Sequence, residues 1–367
     1  MSTTDLQPFR DLALRFAKKE LDPKAIDMDN YPFCDFNRNA LKAAQEAGLL
    51  KIMLPEAHGG AGQGMAVLCE ILFSLSRSDA SFAAMVFVNT LAQSAVIKWG
   101  TQALIDRFIQ SELIAFPAYD LPTDLPVELT AEKKGDAFSL KGRVEFLALA
   151  PVADALILPA KMQGTTEASA FFLIDAKTKG ISLGEPILSL GLRSCPVADV
   201  ELDNVEVPAE NLLCKDTESG YPALTASFRP AAAALAVGVL AGSYEAAKAY
   251  ARERYQGGQM IIDHEQVRLM LANMAVLTES GKALVQSMAR AADEGQPWPL
   301  SDAGLILLTE QASRAATDGV QILGGYGYMK DYGQEKRMRD AKQIESIFGA
   351  APLKRLELMA DILRQEK

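Results

Sequence analysis

The hydrophobic period of this chain changes twice, and those two changes limit the folds open to it. Up to about residue 115 the apolar positions repeat at helical spacing. Leu12, Ala13, Phe16 and Ala17 stand at i, i+1, i+4 and i+5. A short helix over 37–47 is closed by Gly48. Residues 65–77 and 81–98 are apolar around most of their circumference, as helices at the centre of a bundle are. From about 116 to 220 short β-rich runs take over, at 137–140, 155–159, 170–174 and 197–202, broken by Gly-Asp, Lys-Gly and Asp-Asn turns. Helical spacing returns at Ala223. An alanine-rich helix over 231–251 carries Gly238 and Gly242, small enough to let another helix approach closely, and 273–295, 302–323 and 340–365 complete a bundle with it. The expectation is an α+β protein of three domains: a helical domain over 1–115, a β-domain over 116–220 and a four-helix bundle over 221–367. A chain of 367 residues is longer than one core usually serves.

Composition narrows the function classes. The chain is 49% hydrophobic and 23% charged, as soluble globular proteins are. A net charge of −10 argues against a nucleic-acid surface and against a polybasic membrane anchor. The N-terminus shows no apolar signal-peptide core, and no run of about 18 apolar residues is expected to span a bilayer. A cytoplasmic location follows as the expectation. Cys34, Cys69, Cys195 and Cys214 lack CxxC spacing and read as reduced thiols. His58 and His264, the only histidines, read as surface residues, so neither a His-based zinc site nor a Ser-His-Asp triad is expected, and no metal.

The densest motif is QILGGYGYMKDYGQEKRMR, residues 321–339, which runs on through DAKQIESIFGA. Gly324 and Gly325 close a helical pattern and permit a tight turn or a close approach to the main chain. Tyr326 and Tyr328 follow, either stacking near a ligand or simply packing. This stretch resembles the C-terminal signature of the acyl-CoA dehydrogenase family. The resemblance extends over nearly the whole chain: the PEAHGG loop at 55–60, Gly100-Thr101, GLRSCPVADVELDNVEVPAENLL at 191–213, and ERYQGG through LANM at 253–274. It implies a helical domain, a β-domain and a four-helix bundle assembled as a dimer of dimers. It also implies FAD, an acyl-CoA substrate oxidised at Cα–Cβ, and electrons leaving to an electron-transferring flavoprotein. Arg254 matches the arginine that meets the FAD pyrophosphate, a task suited to a two-pronged guanidinium. Gln321, Gly324 and Gly325 fall in the segment that contacts an FAD held mainly by a neighbouring subunit. Phe146 and Ala148 stand where a tryptophan and a hydroxyl residue line the flavin. Asp120 stands where a threonine bonds the flavin pyrimidine. Gly257 replaces a phenylalanine on the adenine side.

The departures matter most at the catalytic base. Removing the α-proton of a thioester needs a carboxylate within hydrogen-bond reach. The family keeps it at the position of Phe348 or, in branched-chain members, just before an arginine, here Phe228 before Arg229. Phenylalanine accepts no proton. Asp120, Asp124 and Glu145 are the carboxylates that could stand in. Arg229 either orders the loop near the acyl chain or is a helix N-terminal surface residue ahead of Pro230 at N1. Three readings stay open: a dehydrogenase with a displaced base, a non-catalytic subunit of a heteromeric dehydrogenase, and an acyl-CoA eliminating enzyme on the same fold. The assembly would be a homotetramer or a heterotetramer with a homologous subunit. Phe228 and Phe348 with Arg229 would bound the substrate, and two phenylalanines there favour a bulky or cyclic acyl group.

Overall fold

The computed structural model describes residues 6–30, 36–119, 128–164, 169–215, 217–296 and 301–365. The N-terminal helices are α1 (Gln7–Phe16), α2 (Arg38–Glu46), α3 (Met65–Ser76), α4 (Ala80–Trp99) and α5 (Gln102–Phe108). Their starts are written in the sequence. The side chains of Asn37, Asp79 and Thr101 accept backbone N–H groups from the first turns of α2, α4 and α5. Every residue of α3 is buried, which is what its uninterrupted apolar run requires. By length and composition, α4 and the helix that begins the C-terminal bundle are apolar enough to cross a membrane, which corrects the expectation that no such run exists. They are core helices: 89% and 78% of their apolar windows are buried inside the fold.

The middle of the chain forms one sheet. Its strands are β1 (Ile114–Ala115), β2 (Thr130–Lys134), β3 (Ala137–Ala148), β4 (Ala155–Gln163), β5 (Ser169–Asp175), β6 (Ile181–Leu183), β7 (Val197–Pro208) and β8 (Leu212–Cys214). They lie in the order β6-β7-β3-β2-β4-β5-β8, with β1 parallel to β4. The ladder between β3 and β7 slips between Val144 and Leu147, so Glu145 and Phe146 bulge out opposite Asp199.

The C-terminal part consists of α6 (Thr217–Glu253), a hairpin of β9 (Tyr255–Gln256) and β10 (Gln259–Met260), α7 (Glu265–Asp293), α8 (Ser301–Leu323), α9 (Gln334–Ile344) and α10 (Ala351–Gln365). The sheet thus takes in Ile114–Ala115 and α6 starts at Thr217, each a little ahead of the limits expected from the change of period. Pro230 lies inside α6 and not at its N1 position. The glycines of α6 act as expected. A Cβ on Gly242 would stand 2.3 Å from the Arg77 carbonyl oxygen, and one on Gly238 2.6 Å from that of Phe73. The helix expected over 340–365 is two helices. The chain leaves helical geometry at Phe348 (φ +60°) and Gly349 (φ +100°), where the Phe348 N–H donates to the Ala118 carbonyl at 3.0 Å.

A charged network on α9 ties the three parts together. Lys336 is 5% exposed. It pairs with Asp79 at 2.9 Å, at the start of α4, and with Asp340 at 2.6 Å. Asp340 also accepts the Leu192 N–H at 2.7 Å from the loop ahead of β7. Arg339 pairs with Asp29 and Glu335 and donates to the Leu190 carbonyl at 3.0 Å. Burial alone would lower the Lys336 ammonium, but Asp340 and Asp79 outweigh it and hold it above its ordinary value. Residues 336–340, KRMRD, form the clamp between the parts.

Candidate active site

Arg254 directly follows α6, where the Tyr250 carbonyl accepts its N–H at 3.0 Å and its own carbonyl accepts from Ile261 at 2.8 Å. The hairpin after it turns at Gly257 and Gly258, both with positive φ (+62° and +85°), which explains a glycine where the family has phenylalanine. His264 is half-buried. It pins this hairpin, with ring nitrogens 2.9 Å from the Gln256 carbonyl and 3.0 Å from the Gln259 amide, so it is a structural residue more than a free surface one. The guanidinium of Arg254 sits over the Tyr326 ring at 5.4 Å, and among the described residues no carboxylate pairs with it.

The structure brings Gly324 and Gly325 to the same place. They and Arg254 line a cavity of about 500 Å³ together with Tyr250, Tyr326 and Met329. A Cβ added at either glycine would meet nothing within 4 Å, so their bare backbone borders open space. Gln321 is exposed in the last turn of α8 and does not line this cavity. Tyr326 packs against Tyr332 at 5.0 Å and Tyr250 at 6.2 Å, whereas Tyr328 is 74% exposed and packs on neither. An unpaired guanidinium, an aromatic face and a backbone wall free of side chains suit the pyrophosphate of a dinucleotide such as FAD.

Phe146 and Ala148 lie elsewhere, at the β3 bulge. Phe146 has φ +54° and leaves its ring 51% exposed. Its N–H donates to Asp199 at 2.9 Å, and Asp199 is held in turn by Arg143. Ala148 is fully buried, beside Val197 and Phe116. Neither lines the Arg254 cavity.

Phe228 and Phe348, the positions that the resemblance assigns to the base, converge on one residue that the sequence did not single out. Phe87 of α4 is fully buried, and Phe348 and Phe228 approach its ring at 5.7 and 6.2 Å. Nothing in the apolar run of α4 distinguishes Phe87 from its neighbours, so only the three-dimensional contact reveals it. The buried carboxylates among the described residues are all engaged by cations: Asp29 by Arg339, Glu70 by Arg10, Asp79 and Asp340 by Lys336, and Asp302 by Arg229. Glu145 is half exposed and pairs with Arg143 at 3.4 Å. Asp120 and Asp124 fall outside the described residues. Arg229 is not at a helix N-terminus. It lies within α6, largely buried, 2.6 Å from Asp302 and 3.3 Å from the Ser301 hydroxyl. Burial pushes the Asp302 carboxyl up, and Arg229 offsets this only in part. Asp302, on a polar helix start, carried no sequence signal.

Family models match both ends of the chain. Residues 3–112 match the acyl-CoA dehydrogenase N-terminal domain and residues 223–363 the acyl-CoA dehydrogenase C-terminal domain. The chain belongs to the acyl-CoA dehydrogenase family. Its broad class is therefore that of a flavin-dependent oxidoreductase of acyl-CoA thioesters. It is 27% identical over 363 residues to a cyclohexane-1-carbonyl-CoA dehydrogenase of Geobacter metallireducens, covering 95% of each chain. It is 29% identical over 371 residues to a 3-(aryl)acrylate reductase of Clostridium sporogenes, covering 97% of each. Among solved structures it superposes on a chain from work on the electron transferring flavoprotein of Acidaminococcus fermentans, with a TM-score of 0.91, 28% identity and 99% of each chain covered. Butyryl-CoA dehydrogenase of Megasphaera elsdenii shares the fold, with a TM-score of 0.90 and 24% identity over 99% of each chain.

Proposed function

We propose that this chain carries two FAD half-sites and acts at the Cα–Cβ bond of an acyl-CoA with a cyclic or aromatic acyl group. The observation that supports it most is the Arg254 cavity, an unpaired guanidinium beside the bare backbone of Gly324 and Gly325. Arg254 would hold the pyrophosphate of an FAD whose flavin lies against Phe146 and Ala148 of a neighbouring subunit. The separation of the two sets of residues on one chain supports such an exchange and a tetrameric assembly, with Gln321 at its subunit boundary. FAD, when bound, supplies the acceptor for the hydride that leaves Cβ. The α-proton must then pass to a group other than Phe228 or Phe348. Asp120 is the proposed acceptor. Phe228 and Phe348 shape the acyl end with Phe87, and Arg229, fixed by Asp302, holds α6 beside them. Relatives named for cyclohexane-1-carbonyl-CoA and 3-(aryl)acrylate support a ring-bearing substrate. A relative named as a subunit of a caffeyl-CoA reductase–Etf complex supports an electron-transferring flavoprotein as redox partner. A cytoplasmic location belongs to the same reading.

A second reading rests on the aromatic cluster. With both base positions filled by phenylalanine and the buried carboxylates engaged by cations, the chain would serve as the non-catalytic subunit of a heterotetramer. It would then lend Arg254 and Gly324-Gly325 to a homologous partner. Titrating the purified protein with cyclic and straight-chain acyl-CoA under anaerobic conditions tests the first reading. Flavin bleaching by ring-bearing thioesters supports it, and equal turnover of short straight chains would overturn the substrate class.

A further inference from the structure

The end of β3 is bent twice against the preference of its residues. Phe146 (φ +54°) and Leu149 (φ +67°) both lie in the left-handed region, which bulky side chains adopt only at a cost. Strain of this kind persists where the surroundings fix it, and it concentrates at ligand clamps. Here the fixing groups come from β7 and the residue ahead of it. The Leu149 N–H donates to the Pro196 carbonyl at 2.7 Å, and the Phe146 N–H donates to the Asp199 carboxylate at 2.9 Å. Val144 pairs with Val200 and Leu147 with Ala198, so Asp199 is the single residue of β7 opposite the bulged Glu145 and Phe146.

Asp199 is itself held from two further sides. Its second carboxylate oxygen accepts from Nη2 of Arg143, and its carbonyl accepts the Gly184 N–H at 2.9 Å. Arg143 also draws the Glu145 carboxylate to 3.4 Å. The two bulged residues are thereby sorted: Glu145 is turned to Arg143, and the Phe146 ring stands 51% exposed. A bulge that only twists a sheet keeps its first residue near the right-handed helical region or uses a left-handed glycine. A left-handed phenylalanine, tied by its N–H to a braced carboxylate, instead aims a ring outward.

We propose that Asp199, braced by Arg143, is a positioning residue for the flavin: it holds the β3 bulge so that the Phe146 ring, and not Glu145, faces the isoalloxazine. This rests on the reading that a flavin lies against Phe146 and Ala148. The test is visible circular dichroism of the flavin bound to the full chain with FAD added, compared at equal flavin occupancy. Asp199→Ala should collapse or invert the dichroic band of the wild type. Phe146→Leu, which keeps the backbone and removes the ring, should do the same. Arg143→Met leaves the carboxylate in place without its brace and should weaken the band, which carries the test if Asp199→Ala does not fold. Asp199→Asn keeps an acceptor for the Phe146 N–H and should retain most of the band. Arg254→Gln should lower FAD occupancy and leave the band of the remaining flavin as in the wild type. A merely structural Asp199 would change stability and not the band, so a wild-type band in folded Asp199→Ala or Phe146→Leu protein overturns the inference alone. A wild-type chain that takes up no flavin overturns the reading beneath it as well.

Discussion

Replacing Lys336 by methionine isolates what the clamp on α9 contributes. Methionine keeps most of the apolar stem and removes the ammonium that faces Asp79 at 2.9 Å and Asp340 at 2.6 Å. Breaking a buried pair by removing one partner costs about 3–5 kcal/mol, because the charge left behind stays buried. Both carboxylates keep one backbone donor, Ser81 N–H at 3.0 Å for Asp79 and Leu192 N–H at 2.7 Å for Asp340. That places the expected loss near the lower limit, about 3 kcal/mol. The pH dependence has a definite sign. In the wild type, the raised Lys336 ammonium contributes fully below its unfolded pKa of about 10.4 and is lost only as pH rises through the folded value. In the variant, the two abandoned carboxylates take up protons more readily than in the unfolded chain. The deficit is therefore largest at pH 8 and shrinks as pH falls toward 5. Urea denaturation of both proteins at pH 8 and pH 5.5 measures this. Adding Asp79→Asn and Asp340→Asn to the methionine variant removes the stranded charges and should recover most of the loss. A methionine variant within about 0.5 kcal/mol of wild type at pH 8, the range of an ordinary surface change, would refute the reasoning.

Other expectations follow from the site. Arg254→Gln should weaken FAD binding by about 10- to 150-fold, the equivalent of one charge-assisted hydrogen-bond set of about 1.5–3 kcal/mol, read by flavin fluorescence on titration. Undiminished affinity would remove Arg254 from the dinucleotide site. Phe348→Glu puts a carboxylate against Phe87 and Phe228, so its folded pKa should rise and its destabilisation, of about 2–4 kcal/mol, should be greater at pH 8 than at pH 5.5. Equal stability at both pH values would show that the cluster is wet. Gly242→Ala drives a methyl group into the Arg77 carbonyl and should cost about 1–3 kcal/mol in denaturant unfolding, and a neutral result would contradict the close α3–α6 approach.

Much of the fold was legible because hydrophobic period reports burial directly. The strands at 137–140, 155–159, 170–174 and 197–202 all lie within β3, β4, β5 and β7. What the period could not show was interruption by tertiary contact. The split between α9 and α10 is imposed by the Phe348–Ala118 backbone bond, and α6 runs through Pro230 because its neighbours hold it helical. Of the residue types singled out, Arg254 and the glycine pair line one cavity and Gln321 does not. Phe87 and Asp302 were not, because one hides in a uniform apolar helix and the other looks like any polar helix start. Lys336 and Asp340 are buried only because Asp79 and Leu192 arrive from two other domains.

The most direct test of the account is an anaerobic absorbance spectrum of the chain purified alone, before and after a ring-bearing acyl-CoA is added. Near-stoichiometric flavin that bleaches with the thioester is the predicted result, and Asp120→Asn should then abolish the bleaching. A colourless protein that acquires flavin only when produced together with a homologous subunit would contradict the claim of an independent oxidoreductase and establish the chain as the non-catalytic half of a heteromer.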